Sequence, residues 1–146
     1  MYEILILILI FVDQSSKFYI TKNLSLGASE PVIDGFFNIT RVHNYGAAFG
    51  LFQGRQYIFA VIAFVTVVIG IIYIHRVNNK IAKLSVSLLI SGAIGNLVDR
   101  IRLGFVVDFL DFNGIWGYIF NLADVFVVVG AILLCIYVAI SEKRKG

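Results

Sequence analysis

The chain has 146 residues, of which 60% are apolar and only 14% charged, with a mean hydropathy of +0.92. Soluble domains carry about a quarter charged residues, so this composition excludes an ordinary soluble protein and points to one membrane-embedded unit. The net charge of +3 is gathered at a few places, which fits loop topology and argues against a nucleic-acid partner.

Apolar segments are predicted at residues 4–20, 57–74, 84–98 and 119–140. The first is interrupted by Asp13 and Lys17, the second carries no charge, the third is rich in small and polar residues, and the fourth holds only Asp124, near its start. A spanning helix needs about 20 mainly apolar residues, so all should cross, the first and third by taking in polar residues. No Lys or Arg precedes the apolar run 4–12 and no small-x-small site follows it, so a retained helix is expected rather than a cleaved secretion signal. The basic residues Arg76, Lys80 and Lys83 between the second and third segments, and Lys143, Arg144 and Lys145 in the tail, place both termini on the cytoplasmic side.

The connections 23–56 and 99–118 then lie outside the cytoplasm. Residues 32–51 mix β-branched and aromatic side chains with turn signals at Asp34-Gly35 and Asn44-Tyr45-Gly46, so a small strand region is expected there. Asp108 and Asp111, in the second connection, read as solvated loop carboxylates. Cys135 lies in an apolar run and reads as a small buried side chain. The predicted fold class is membrane all-α, a single domain over 1–146 with four transmembrane helices and a small extracytoplasmic β-element.

Two copies of Asn-Leu-x-Asp, Asn96-Leu97-Val98-Asp99 and Asn121-Leu122-Ala123-Asp124, end and begin apolar runs. Carboxylates beside lipid-length segments are expensive and mark function by default. Asp124 could instead cap a helix start. That reading suits Asp99 poorly, since the dipole disfavours an anion near a helix end. The topology brings Asp99 and Asp124 to the same membrane depth, and two close carboxylates sharing one proton are the apparatus of an aspartic protease. One deprotonates a water while the other hydrogen-bonds the scissile carbonyl. Asn96 and Asn121 could orient the acids or a substrate backbone.

Ser87, Ser91, Gly95 and Asp99 recur every four residues, a small-residue stripe that lets membrane helices approach closely. Asp13 and Lys17 share one helical face, as a neutral pair or as a substrate contact. Arg100 reads as an interfacial anchor or as a partner for an acid. His43 and His75 lack metal-ligand spacing, and neither metal nor cofactor is expected.

At these residues the chain resembles the bacterial lipoprotein signal peptidases (signal peptidase II). The resemblance rests on Asp13-Gln14-Ser15-Ser16-Lys17, Asn44-Tyr45-Gly46-Ala47-Ala48-Phe49, Gly92 to Arg100 with Val106-Val107-Asp108-Phe109, and Phe120-Asn121-Leu122-Ala123-Asp124. It implies an aspartic endopeptidase that removes the signal peptide of diacylglyceryl-modified prolipoproteins just before the lipidated cysteine. It further implies Asp99 and Asp124 as the catalytic pair, with Asp13, Asn44, Asn96, Arg100 and Asn121 shaping the site or contacting substrate. The expected partners are the prolipoprotein, membrane lipid and the cyclic peptide antibiotic globomycin, the expected state a monomer, and the expected location the bacterial inner membrane with the site at its outer face. The alternatives are a small ion-coupled transporter using the acids as cation sites, and a non-catalytic assembly factor using the small-residue stripe.

Overall fold

The computed structural model describes residues 1–46, 56–113 and 117–143. Its elements are α1 (Tyr2–Asn23), β1 (Ser29–Ile33), β2 (Phe37–Asn44), α2 (Gln56–Arg76), α3 (Lys80–Leu103), β3 (Val106–Asp111), β4 (Ile119–Phe120) and α4 (Leu122–Lys143). The four helices are each long and apolar enough to cross a membrane, the number expected. Helix α3 runs beyond the predicted 84–98 at both ends, and Ile119–Phe120, predicted within the fourth span, form β4. The β-region begins earlier than expected, at Ser29, and residues 47–51 of that prediction lie outside the described residues.

Helix α3 is the centre of the molecule. It packs against α1, α2 and α4, and half of its most apolar window is buried, against 11–17% for the other three helices. Its small residues explain why. Between lipid-solvated helices there is little hydrophobic drive, so close backbone approach carries the packing. A Cβ at Gly92 would run into the carbonyl oxygen of Ala123 on α4 and come within 2.6 Å of the Val127 side chain. One at Gly95 would lie 2.6 Å from Asp13 Oδ2 and 3.1 Å from Ala123 Cβ. The hydroxyls of Ser85, Ser87 and Ser91 donate back to Ile81, Lys83 and Ser87 carbonyls at 2.7–2.8 Å, so these buried polar groups are satisfied within their own helix. Asn79 begins α3 by accepting from the Ile81 and Ala82 N–H groups. Gly104 ends it at φ 80, a left-handed turn that a Cβ would strain.

The sheet lies between helix ends, in the order β1-β2-β3-β4 with every pairing antiparallel. Its second half corrects the reading of residues 99–118 as a plain connection. Val106 to Phe109 are fully buried, and Asp108 is 2% exposed rather than a solvated loop carboxylate. A β-branched and apolar run bounded by Gly104 and Asn113 has strand character, and the acids within it hid that signal. Cys135 also departs from expectation, being exposed on α4, where an apolar thiol suits a lipid-facing surface.

The close approach at Gly92 is directly testable. Gly92→Ala forces a methyl against backbone that cannot rotate away, an overpacking that costs about 1–3 kcal/mol. Thermal unfolding should therefore fall for Gly92→Ala and stay unchanged for Gly117→Ala, whose Cβ would meet nothing within 4 Å. Equal melting temperatures for the two variants would contradict this packing.

Candidate active site

The site begins with a lysine inside the helix bundle. Lys17 Nζ lies 3.0 Å from Asp13 Oδ2, one turn earlier on α1, and 3.0 Å from Asp99 Oδ2 on α3. It also donates to Asn96 Oδ1 at 3.0 Å. Lys17 and Asp99 are each 3% exposed and Asp13 is wholly buried. Charges so placed persist only when paired and hydrogen-bonded, and the remaining lone pairs are indeed occupied. Asp13 Oδ1 accepts from the Ala123 N–H at 2.9 Å, one of the free donors in the first turn of α4. Asp99 Oδ2 accepts from the Val107 N–H at 3.1 Å and its Oδ1 from Gln14 Nε2 at 3.0 Å. Gln14 also reaches Asp13 Oδ2 and the Gly95 carbonyl, both at 3.1 Å. One cluster thus joins α1, α3, β3 and the start of α4.

The second layer is built from three asparagines and two aspartates. Asn121 immediately precedes α4; its Oδ1 accepts from the Asp124 N–H at 3.0 Å, while Asp124 Oδ2 accepts from the Asn121 N–H at 3.2 Å. That reciprocal pair is a capping box. Asn121 Nδ2 donates to Asp108 Oδ1 at 2.6 Å and to Asn96 Oδ1 at 3.2 Å. Asn96 Nδ2 donates to Asp124 Oδ1 at 2.8 Å. From β2, Asn44 Nδ2 donates to Asp108 Oδ2 at 2.9 Å, its Oδ1 being held by the Gly46 N–H. Each oxygen of Asp108 and of Asp124 therefore accepts from an N–H group, and Asn121 bridges the two acids.

Burial pushes the Asp108 carboxyl up to about 7, and the negative charge of Asp124 adds to the rise against the opposing pull of Asn44, Asn121 and Lys17. A carboxyl raised in this way keeps its proton well above the range of an ordinary aspartate. Arg100 closes one side. It donates to the Asn96 and Gly46 carbonyls at 3.3 and 3.2 Å and lies 5.5 Å over the Phe59 ring, tying the end of β2 to α3 and α2.

All the residues singled out in the sequence converge here, but not in the expected pairing. Asn96 and Asp99 stand three residues apart inside α3, and the helix carries Asn96 toward Asp124 and Asp99 toward Lys17 and β3. Asp99 is held by Lys17, Gln14 and the Val107 N–H, and the acid bridged to Asp124 through Asn121 is Asp108. The two Asn-Leu-x-Asp copies are thus unlike, one within a helix and one a helix cap. In the sequence Asp108 read as a solvated loop carboxylate and Gln14 stood in the first motif without a role of its own. An aspartate inside Val106-Val107-Asp108-Phe109 carries the same signal that singled out Asp99, a carboxylate in an apolar run.

A family model described as signal peptidase (SPase) II matches residues 5–140. A lipoprotein signal peptidase of Clostridioides difficile is 48% identical over 146 residues, 99% of each chain. One of Fusobacterium nucleatum is 43% identical over 147 residues, 99% of this chain and 89% of that one. A solved structure described as a bacterial membrane enzyme at 2.3 Å resolution superposes with a TM-score of 0.91 at 32% identity, covering 99% of this chain and 91% of that one. The resemblance read from the four motifs is borne out.

The raised Asp108 carboxyl has a sign that stability can report. The folded chain keeps this proton up to about pH 7, whereas an unfolded aspartate releases it near 3.8. Its contribution to stability is therefore full at acid pH and is lost as pH rises through that window. Asp108→Asn should flatten the decline of melting temperature between about pH 4 and 7 relative to wild type; parallel curves would contradict the assignment.

Proposed function

The chain belongs to the signal peptidase II family, and from the geometry of its site we propose that Asp108 and Asp124, in place of the expected Asp99 and Asp124, are its catalytic pair. The protein is a membrane aspartic endopeptidase that removes signal peptides from prolipoproteins. The observation that carries the pairing is the Asn121 bridge from Asp108 to Asp124, with the Asp108 carboxyl raised by burial first and by the charge of Asp124 second, while the charge of Asp99 is matched by Lys17. Nothing in the matches supports a transporter.

In this reading Asp108 holds the shared proton and hydrogen-bonds the scissile carbonyl, and ionised Asp124 takes a proton from the attacking water. Asp124 stands in the first turn of α4, where the free N–H groups and the dipole suit an anion. Asn44, Asn96 and Asn121 aim N–H donors at the acids, so their task is to orient carboxylates. Asp13 and Asp99 belong to the buried Lys17 cluster, and Arg100 fixes Gly46 beside the site.

The substrate is a prolipoprotein carrying diacylglycerol on the cysteine that follows the cut. Its acyl chains hold the peptide at the depth of the acids and lower the entropy lost in positioning it. Lys80 and Lys83 at the start of α3 and Lys143 at the end of α4 support a cytoplasmic location for that end, with the site at the outer face of the bacterial inner membrane. The enzyme acts as a monomer among membrane lipids and is blocked by globomycin.

Turnover of a diacylglyceryl prolipoprotein by purified variants tests the pairing. Asp108→Asn and Asp124→Asn should fold and each lose roughly 10²–10⁴-fold in kcat, the range for a removed acid–base group. Asp99→Asn should lower the melting temperature, because Lys17 loses a partner, and keep turnover above those two. Wild-type turnover by Asp108→Asn would overturn the proposal.

A further inference from the structure

The mechanism above uses Asn96 as a donor to Asp124, yet a carboxamide presents a donor or an acceptor depending on a half-turn about its Cβ–Cγ bond. Something must select the turn. Asn96 Oδ1 faces two donors, Lys17 Nζ at 3.0 Å and Asn121 Nδ2 at 3.2 Å. The lysine is the stronger, since charge-assisted hydrogen bonds are roughly twice as strong as neutral ones. With the oxygen held there, Nδ2 has no choice but to face Asp124 Oδ1, at 2.8 Å.

We infer that Lys17 is a positioning residue for catalysis: its ammonium locks the Asn96 carboxamide with the N–H toward Asp124 and so holds that carboxylate ready to accept the proton of water. The inference rests on the assignment of Asp124 to the catalytic pair. Lys17 itself is buried and touches no reacting atom. Its three contacts divide the labour. Asp13 and Asp99 bind the charge and fix the ammonium between α1 and α3, and Asn96 transmits its position to the acid.

Without the ammonium only the weaker, neutral Asn121 Nδ2 holds Asn96 Oδ1, and Asn96 can turn its oxygen toward Asp124. Two oxygens face each other at hydrogen-bond distance only when one carries a proton, so the turned carboxamide favours the protonated acid, which cannot act as a base. The other charged groups acting on Asp124 are Asp13 on α1, Arg100 on α3 and Asp108 on β3; residues 57–74 of α2 carry no charge.

The test must separate orientation from mere charge balance. Lys17→Met alone leaves two buried carboxylates without a cation and is unsuitable. Lys17→Met/Asp99→Asn removes one positive and one negative charge together, so the net charge of the buried cluster is unchanged while the donor to Asn96 is gone. Because the charge of Lys17 also acts on Asp124 directly, Asn96→Ala is added in the same background, where it should change kcat and the profile no further, and a further loss overturns the inference. With folding confirmed by thermal unfolding, this double variant should keep KM within about twofold, lose at least about tenfold in kcat, about 1.4 kcal/mol, and show the acidic limb of its pH–rate profile moved to higher pH. Wild-type kcat with an unmoved profile would overturn the inference, as would a loss confined to KM with the profile unmoved. Should the double variant fail to fold, Lys17→Arg, which keeps charge and donors, replaces it. An unmoved profile is then expected, and a moved one overturns the inference. Asp124→Asn, run alongside, keeps the two ideas apart: activity in that variant sinks the catalytic pair, whereas its inactivity beside a fully active double variant sinks only the role of Lys17.

Discussion

Lys17 carries an ammonium group into the space between helices, where an unpaired charge costs several kcal/mol or more, and three oxygens from two helices gather around it. Everything else in the site depends on that gathering. It brings α1 against α3, and the same carboxylates reach the Ala123 N–H at the start of α4 and the Val107 N–H of β3. Removing one member of such a buried cluster typically costs about 3–5 kcal/mol. The cluster is therefore a structural joint, tied to α1, α3, the start of α4 and β3 and, through Asn96, to Asp124 of the proposed catalytic pair.

Above it the chemistry is arranged by amides. Each of Asn44, Asn96 and Asn121 has its oxygen engaged by a group other than the Asp108 and Asp124 carboxylates: the Gly46 N–H, Lys17 and the Asp124 backbone N–H. Each then directs its NH₂ at a carboxylate of the pair. Donors fixed in advance need no reorganisation when charge shifts during reaction, which is how enzymes gain most from polar groups in a low-dielectric site. Helix packing serves the same end, since the missing Cβ atoms of Gly92 and Gly95 let α4 and Asp13 come close enough to α3 for these bonds to form.

Much of this was legible in the chain. Four spans follow from apolar length, and the residues of the site announce themselves as polar groups where lipid-length segments cannot easily carry them. The pairing was not legible. Asn96-Leu97-Val98-Asp99 and Asn121-Leu122-Ala123-Asp124 look alike as strings, yet one lies within a helix whose faces point to different neighbours and the other wraps a helix start. Sequence shows the repeat but not the rotation of α3, which turns Asp99 to Lys17 and leaves Asp124 to Asp108. Asp108 read as a solvated loop carboxylate because the burial of β3 comes from long-range packing, against β2, where Val42 stands opposite Asp108 and Asn44 opposite Val106, and against α1 and α3. Gln14, though part of the first motif, had no role in the sequence because an amide in a helix has none until its acceptors, Asp13, Asp99 and the Gly95 carbonyl, are in place.

The coupling between Asp108 and Asp124 can be measured without turnover. Carboxyl ¹³C signals of labelled aspartate, assigned by substitution, give the titration midpoint of Asp108 in the detergent-solubilised enzyme and in Asp124→Asn. A shared proton requires a midpoint near 7 in the wild type that falls toward the ordinary carboxylate range when the neighbouring charge is removed. An Asp108 that titrates near 4 in both proteins, the ordinary range for an aspartate, would contradict the pairing on which the proposed mechanism stands.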